Sequence, residues 1–219
     1  MSKTQINLSG IKAAIFDMDG TMINNMEYHQ KAWAEFLKRH GISFTTEEFK
    51  EKISGKKNDQ IFSLVFGKEL SSEEIKQYTE EKEDLYRELY KPEIKEVPGL
   101  NNTIQELEKR DIKLAIATTA PEKNRNFGLK SLQLTDKFPI ILGDEHVSHG
   151  KPHPEIYLET AKQLGVLPSE CLVFEDSPPG VGSGKNAGMM VVGILTSHTA
   201  EQLHEADYTI KNFTELEFI

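Results

Sequence analysis

The apolar run Ala14-Ile15-Phe16 leads directly into Asp17-Met18-Asp19-Gly20-Thr21, two carboxylates two positions apart followed by a glycine. Glycine permits a tight turn there. Acids at the carboxyl end of a buried strand lie where open α/β sheets bind their ligands. Because a short Asp-x-Asp-Gly string is also an ordinary turn, the weight falls on three further positions. Leu114–Ala117 runs into Thr118-Thr119-Ala120-Pro121. A hydroxyl and backbone N–H groups at such a strand–helix junction suit a phosphate oxygen, and Thr119 alone would suit a helix cap. Gly150-Lys151-Pro152-His153-Pro154 holds a lysine on a stiff segment ahead of a helix, where a solvated surface charge is the plain alternative. Cys171–Phe174 ends in Glu175-Asp176-Ser177-Pro178-Pro179-Gly180, a second acidic pair at a strand end.

Brought to one sheet edge, these strand ends present Asp17, Asp19, Glu175 and Asp176 with Lys151 and Thr118. Like charges about 4 Å apart repel by about 4 kcal/mol at an effective dielectric of about 20. The cluster therefore calls for a cation, and oxygen donors select a hard one, Mg²⁺. No Cys/His set with zinc spacing competes. A carboxylate nucleophile, a lysine and Mg²⁺ are the parts of phosphoryl transfer: charge neutralisation, positioning and a leaving-group proton.

The elements that must position these residues are legible as apolar runs. Ala13–Phe16, Leu114–Ala117, Leu172–Phe174 and Met190–Leu195 read as buried strands. Pro154–Leu164 and Pro179–Ala187 read as helices, with Pro121 and Pro154 in first turns where a missing N–H costs nothing. Alternating strand and helix predicts a parallel α/β sheet. Residues 23–95 differ, with 15 acidic and 13 basic side chains in 73 positions. There Tyr28, Ala32 and Phe36 form one helical stripe, flanked by His29, Trp33 and Leu37. Ser72–Tyr90 is densely charged, with Glu83–Arg87 a favourable pair and Glu80–Asp84 a like one, mostly read as a solvated face. The expectation is a small all-helical domain, 23–95, inserted after the first strand of a core made of 1–22 and 96–219, with the return near Val97-Pro98-Gly99.

Composition sets the outer limits. The 219 residues carry 26 Lys+Arg against 35 Asp+Glu, a net charge of −9, which argues against a nucleic-acid or anionic-membrane binder. The single Cys171 excludes an internal disulfide and fits a reducing compartment. Met1–Gly10 has no cleavage-like segment, and no run approaches about 18 apolar residues. A cytoplasmic protein, a monomer or weak homodimer with a small-molecule partner, is expected.

These motifs, in this order, resemble the haloacid dehalogenase superfamily of phosphohydrolases and phosphomutases, and the resemblance covers essentially the whole chain. It implies a Rossmann-like parallel sheet with helices on both faces. It also implies that Asp17 is the nucleophile that becomes an aspartyl phosphate, and that Asp19 is the general acid/base. Thr118, helped by the Thr119 amide, would hold the phosphoryl group, and Lys151 would stabilise its charge. Asp17, the Asp19 carbonyl and Asp176 would ligate Mg²⁺, with Glu175 a direct or outer ligand. The insertion resembles the helical cap of the beta-phosphoglucomutase-like subfamily through Asn24-Asn25-Met26-Glu27-Tyr28-His29 and Trp33. Ser54-Gly55-Lys56-Lys57 resembles its substrate-specificity loop. By resemblance, His29 and Lys82 tune Asp19; otherwise His29 packs beside Trp33 and Lys82 is a solvated helix charge.

Two departures weigh against a mutase. Asn58 stands where mutases of this type carry an arginine, leaving Lys56 or Lys57, which lack its bidentate fork. Thr21 after Asp19-Gly20 is more at home in the phosphatases. The implied activity is Mg²⁺-dependent hydrolysis of a small phosphorylated metabolite, a sugar phosphate, with a phosphosugar mutase as the alternative. A signalling receiver or a non-catalytic regulator ranks lower, because a receiver lacks both the insertion and the second carboxylate.

Overall fold

The computed structural model describes residues 3–43 and 58–219. The strands are β1 (Thr4–Ile6), β2 (Ala13–Phe16), β3 (Lys113–Ala117), β4 (Ile140–Leu142), β5 (Cys171–Glu175), β6 (Met190–Ile194), β7 (Tyr208–Ile210) and β8 (Leu216–Phe218). The described α-helices are α1 (Met26–Arg39), α2 (Asn58–Phe66), α3 (Ser72–Tyr90), α4 (Leu100–Glu108), α5 (Glu122–Ser131), α6 (Glu155–Leu164) and α7 (Pro178–Asn186). Six strands form one parallel sheet in the order β4-β3-β2-β5-β6-β7, and β1 pairs with β8 in a separate two-stranded parallel sheet.

The four expected strands are the four central ones, β3, β2, β5 and β6. Each is an apolar run because it is covered on both faces. Ile15, Ala115 and Val173 pack with Ile156, Tyr157 and Ala161 of α6. On the opposite side of the pleat, Phe16 stacks on Phe174 at 4.7 Å, with Phe138 and Phe213 against them. The edge strands β4 and β7 and the β1–β8 pair are additions to the expectation. At three residues each, they are too short to show a period. Because β1 comes first, the helical segment follows the first strand of the main sheet rather than the first strand of the chain.

Chain order reverses direction across the sheet between β2 and β5, since β3 and β4 lie on one side and β5 to β7 on the other. That is the switch point at which such sheets open a crevice beyond their carboxyl ends. The residues ending β2 and β5 are Asp17, Glu175 and Asp176. Pro121 and Pro154 sit at the N-caps of α5 and α6, one step ahead of the first turn.

The chain divides into two compact units, 1–26 with 94–219, and 27–93. Ile23 bridges Glu96, which keeps both residues with the sheet. In the helical unit α1 buries Ala32, Trp33, Phe36 and Leu37, and Phe36 meets Phe62 of α2 and Tyr78 of α3. Ser71 and Glu74 close a capping box at the start of α3. That helix departs from a uniformly solvated face: Lys82 and Glu83 are buried and paired, while Arg87 binds Asp84. Among the described residues no helix is long and apolar enough to cross a membrane.

Candidate active site

The parallel ladder carries Asp17 to its place, for its N–H donates to the Phe174 carbonyl at 3.0 Å as the last rung between β2 and β5. Lys151 reaches the same point from the turn before α6. Its Nζ donates to Asp17 Oδ1 at 2.7 Å, to Glu175 Oε1 at 2.7 Å and to the Ala117 carbonyl at 3.1 Å. An ammonium has three donors, and all three are used. Lys151 is thus no surface charge. Burial works against its charge, but the Asp17 and Glu175 carboxylates outweigh burial and hold it above the ordinary lysine range.

Glu175 is the most heavily bonded acid of the group. Oε1 also accepts the Tyr157 hydroxyl at 3.1 Å, and Oε2 accepts the N–H groups of Asp176 and Ser177 and the Ser177 hydroxyl. Its carboxylate packs so closely on Gly180 that a Cβ there would lie 1.8 Å from Oε1. With its lone pairs occupied by protein donors, Glu175 orients Lys151 and the start of α7. Asp176 lies beside it, its Oδ1 3.4 Å from Thr21 Oγ1 and its backbone carbonyl accepting His198 Nδ1–H at 2.9 Å. Gly20, at φ +81°, leaves the space that Asp176 needs: a Cβ would lie 2.1 Å from Oδ2.

Asp17, Glu175 and Asp176 are buried, and one oxygen from each lies within 4.8 Å of the others. Three carboxylates thus face one lysine. Burial, followed by the Glu175 charge, pushes Asp176 up to about 7. Burial also raises Asp17 well above the ordinary carboxylate range, and Glu175 and Asp176 add to this against the pull of Lys151. Such an all-oxygen set with an excess of negative charge fits a hard divalent cation, Mg²⁺. Asp17 and Asp176 have the capacity to ligate it. The Asp19 carboxylate is not part of that group. Its Oδ1 accepts Asn25 Nδ2 at 2.7 Å, while Asn25 Oδ1 accepts the Gly20 N–H at 3.2 Å.

Thr118 is buried at the end of β3. Its hydroxyl oxygen accepts the Ala120 N–H at 3.2 Å, and its own N–H donates to the Leu142 carbonyl at 3.0 Å. Thr119 is exposed and is not the helix cap, since α5 begins after Pro121 with no side-chain cap bond. His29 and Lys82 lie in the helical unit and meet there, Nζ to Nδ1 at 3.1 Å. His29 stacks on Tyr86 rather than Trp33, and it is Lys82 that lies over the Trp33 ring. Lys82, only 3% exposed, is not a solvated charge. Gly55, Lys56 and Lys57 lie outside the described residues, and Asn58 begins α2.

Tyr157, His198 and Arg125 carried no signal in the sequence, and Asn25 stood there only within the opening stretch of the insertion. Asn25 secures Asp19, Tyr157 bonds Glu175, and His198 holds the Asp176 backbone. Arg125, buried in α5, donates to the Ala120 carbonyl at 2.7 Å and forks onto Glu145, fixing the turn after Thr118. Each acts through a contact that exists only after folding.

Residues 14–194 match the haloacid dehalogenase-like hydrolase family. The chain is 32% identical to validoxylamine A 7'-phosphate phosphatase of Streptomyces hygroscopicus subsp. limoneus, over 94% of this chain and 95% of that protein. It is 30% identical to the beta-phosphoglucomutase of Bacillus subtilis, covering 84% and 83% of the two chains. The crystal structure of a family IA, variant 3 hydrolase from Entamoeba histolytica superposes with a TM-score of 0.86 at 35% identity, covering 94% of this chain and 96% of that one. With Asp17 at the end of β2, the enclosed Lys151 and the Glu175–Asp176 pair all inside the matched span, the chain belongs to the haloacid dehalogenase-like hydrolase family, among its phosphatases and phosphotransferases of beta-phosphoglucomutase type.

Proposed function

We propose that this protein is a Mg²⁺-dependent phosphohydrolase of a small phosphorylated metabolite of the sugar phosphate class, working through an aspartyl phosphate on Asp17. The observation that carries the reading is the buried Asp17–Lys151 contact inside a group of three carboxylates with one lysine. Held by Asp17 and Asp176, Mg²⁺ supplies the positive charge that lets a phosphate dianion approach those acids.

Lys151 holds Asp17 on line and shields the charge of the transferring group. One Asp17 oxygen attacks phosphorus and the bond to the substrate oxygen breaks. Asp19 gives that oxygen its proton, so an alcohol departs. Thr118, whose oxygen already accepts the Ala120 N–H, turns its O–H toward a phosphoryl oxygen, and the Thr119 amide assists. Water then attacks the same phosphorus and loses a proton to Asp19, which frees Asp17 and inorganic phosphate. Asn25 keeps Asp19 aligned in both steps. Gly55, Lys56, Lys57 and Asn58 supply substrate contacts in this reading, the two lysines as point charges for a phosphate. His29 and Lys82, joined to each other, are assigned by the family resemblance to tuning the acid/base Asp19.

A screen of phosphorylated metabolites with Mg²⁺ tests this, including pyrophosphate and beta-glucose 1-phosphate with a trace of glucose 1,6-bisphosphate. Phosphate release from sugar phosphates is expected, with a hydroxylamine-labile phosphate on the protein that Asp17→Asn cannot form. Absence of both release and label across the screen would sink the proposal. The similarity to a beta-phosphoglucomutase sustains one other outcome, glucose 6-phosphate formed without phosphate release.

A further inference from the structure

The turn that delivers Lys151 carries a second group of metal-binding side chains on its outer side. His149 and His153 stand two residues to either side of Lys151, and Glu155 opens α6 immediately after. The lysine runs inward to Asp17, whereas both imidazoles are exposed, with 65% and 50% of their side-chain surface open. His149 Nδ1 lies 2.9 Å from Glu155 Oε2 and His153 Nδ1 lies 3.8 Å from the same oxygen. One donor atom from each of the three residues falls within 4.8 Å of the others. Tetrahedral zinc with bonds near 2.0–2.2 Å sets its donor atoms about 3.3 Å apart, a value these contacts bracket.

We infer that His149, His153 and Glu155 form a binding site for a borderline divalent ion of the zinc class, separate from the acidic pocket. Two imidazoles and a carboxylate favour such ions, while an all-carboxylate set favours Mg²⁺. The protein would therefore sort hard and borderline cations between the inner and outer sides of one turn. Glu155 is already fixed, because its carboxylate accepts the N–H groups of Ser148 and His149 at 2.9 and 3.0 Å. Coordination replaces two contacts, the His149–Glu155 hydrogen bond and the long 3.3 Å approach of the Glu155 N–H to His153 Nδ1. An ion held by these three residues would brace the turn that delivers Lys151. The two histidines have the His-x3-His spacing of zinc ligands, and the third donor is a glutamate two residues on.

Co²⁺ titrated into the untagged full chain under saturating Mg²⁺ tests this directly. One equivalent with the visible absorption of tetrahedral Co²⁺ is expected. Zn²⁺ should displace it and further Mg²⁺ should not. His149→Ala and His153→Ala should each weaken binding roughly tenfold or more, while each metal-free variant keeps the parent melting temperature. Equal Co²⁺ binding by the double variant, displacement by Mg²⁺, or no spectral change would overturn the assignment.

Discussion

Each unit encloses a lysine side chain, and the two are enclosed differently. Lys151 in the sheet unit and Lys82 in the helical unit have 7% and 4% of their side chains exposed, and each meets a carboxylate at 2.7 to 2.8 Å. Around Lys82 the partners include Glu83, the His29 ring nitrogen and the Trp33 ring, a single carboxylate among them. Around Lys151 the partners are Asp17 and Glu175, with Asp176 beside them, so one lysine faces three acids, and burial raises Asp17 and Asp176 above the ordinary carboxylate range. A balanced buried pair holds a fold together, although it adds little over an apolar pair of the same shape. An unbalanced one offers an excess of oxygen donors, the chemistry that a hard divalent cation fits.

This contrast makes Lys151→Met and Lys82→Met a diagnostic pair. Lys151→Met should lower kcat roughly 10³-fold, because it removes the charge facing the transferring group and leaves Glu175 without its inward partner. Lys82→Met should lower stability by about 3 kcal/mol, because it removes the cation from a buried ion pair. Hydrogen exchange in α1 and α3 would locate that loss, and a Mg²⁺ titration should return the parent affinity. If Lys82→Met weakened Mg²⁺ binding as much as Lys151→Met does, the distinction between balanced and unbalanced clusters would fail. A smaller pH effect sharpens it.

Burial and the neighbouring Glu175 charge push the Asp176 carboxyl up to about 7, against about 3.8 for an ordinary aspartate. The folded state therefore keeps a proton that the unfolded chain has lost across that window. Its stabilising contribution is complete below about 4 and is lost as pH rises through about 7. Mg²⁺ competes with that proton, so its stabilising effect should grow by about 1–2 kcal/mol between pH 5.5 and 7.5. Melting temperatures with and without Mg²⁺ at the two pH values measure this, and an identical Mg²⁺ increment at both would refute it.

The parts of the site that were legible in the sequence are those where a buried strand stops. Ala13–Phe16 and Cys171–Phe174 are covered on both faces, so they must be apolar, and Asp17 and Glu175, with Asp176 next to it, stand out as the first charges after them. The three-residue edge strands gave no comparable contrast. In α3 the density of charge disguised Lys82 and Glu83 as surface residues, since local sequence does not record which side of a helix a neighbour covers. Tyr157 looked like any core aromatic until Glu175 took its hydroxyl. Arg125 looked like a helix-surface cation until Glu145 and the Ala120 carbonyl closed on it.

The sequence by itself determined the order of strand, acid and turn, and hence the identity of the residues gathered at the sheet's switch point. Burial of apolar runs and the needs of tight turns act over a few neighbouring positions, and these leave a local pattern. Only the tertiary structure decided how the charges pair. It gave Asp17 to Lys151, saturated Glu175 with five protein donors, turned Asp19 toward Asn25 and set His149 beside Glu155. Charge pairing depends on distance and on the water excluded around each group. Folding sets both by joining residues as far apart as Asp17 and Lys151.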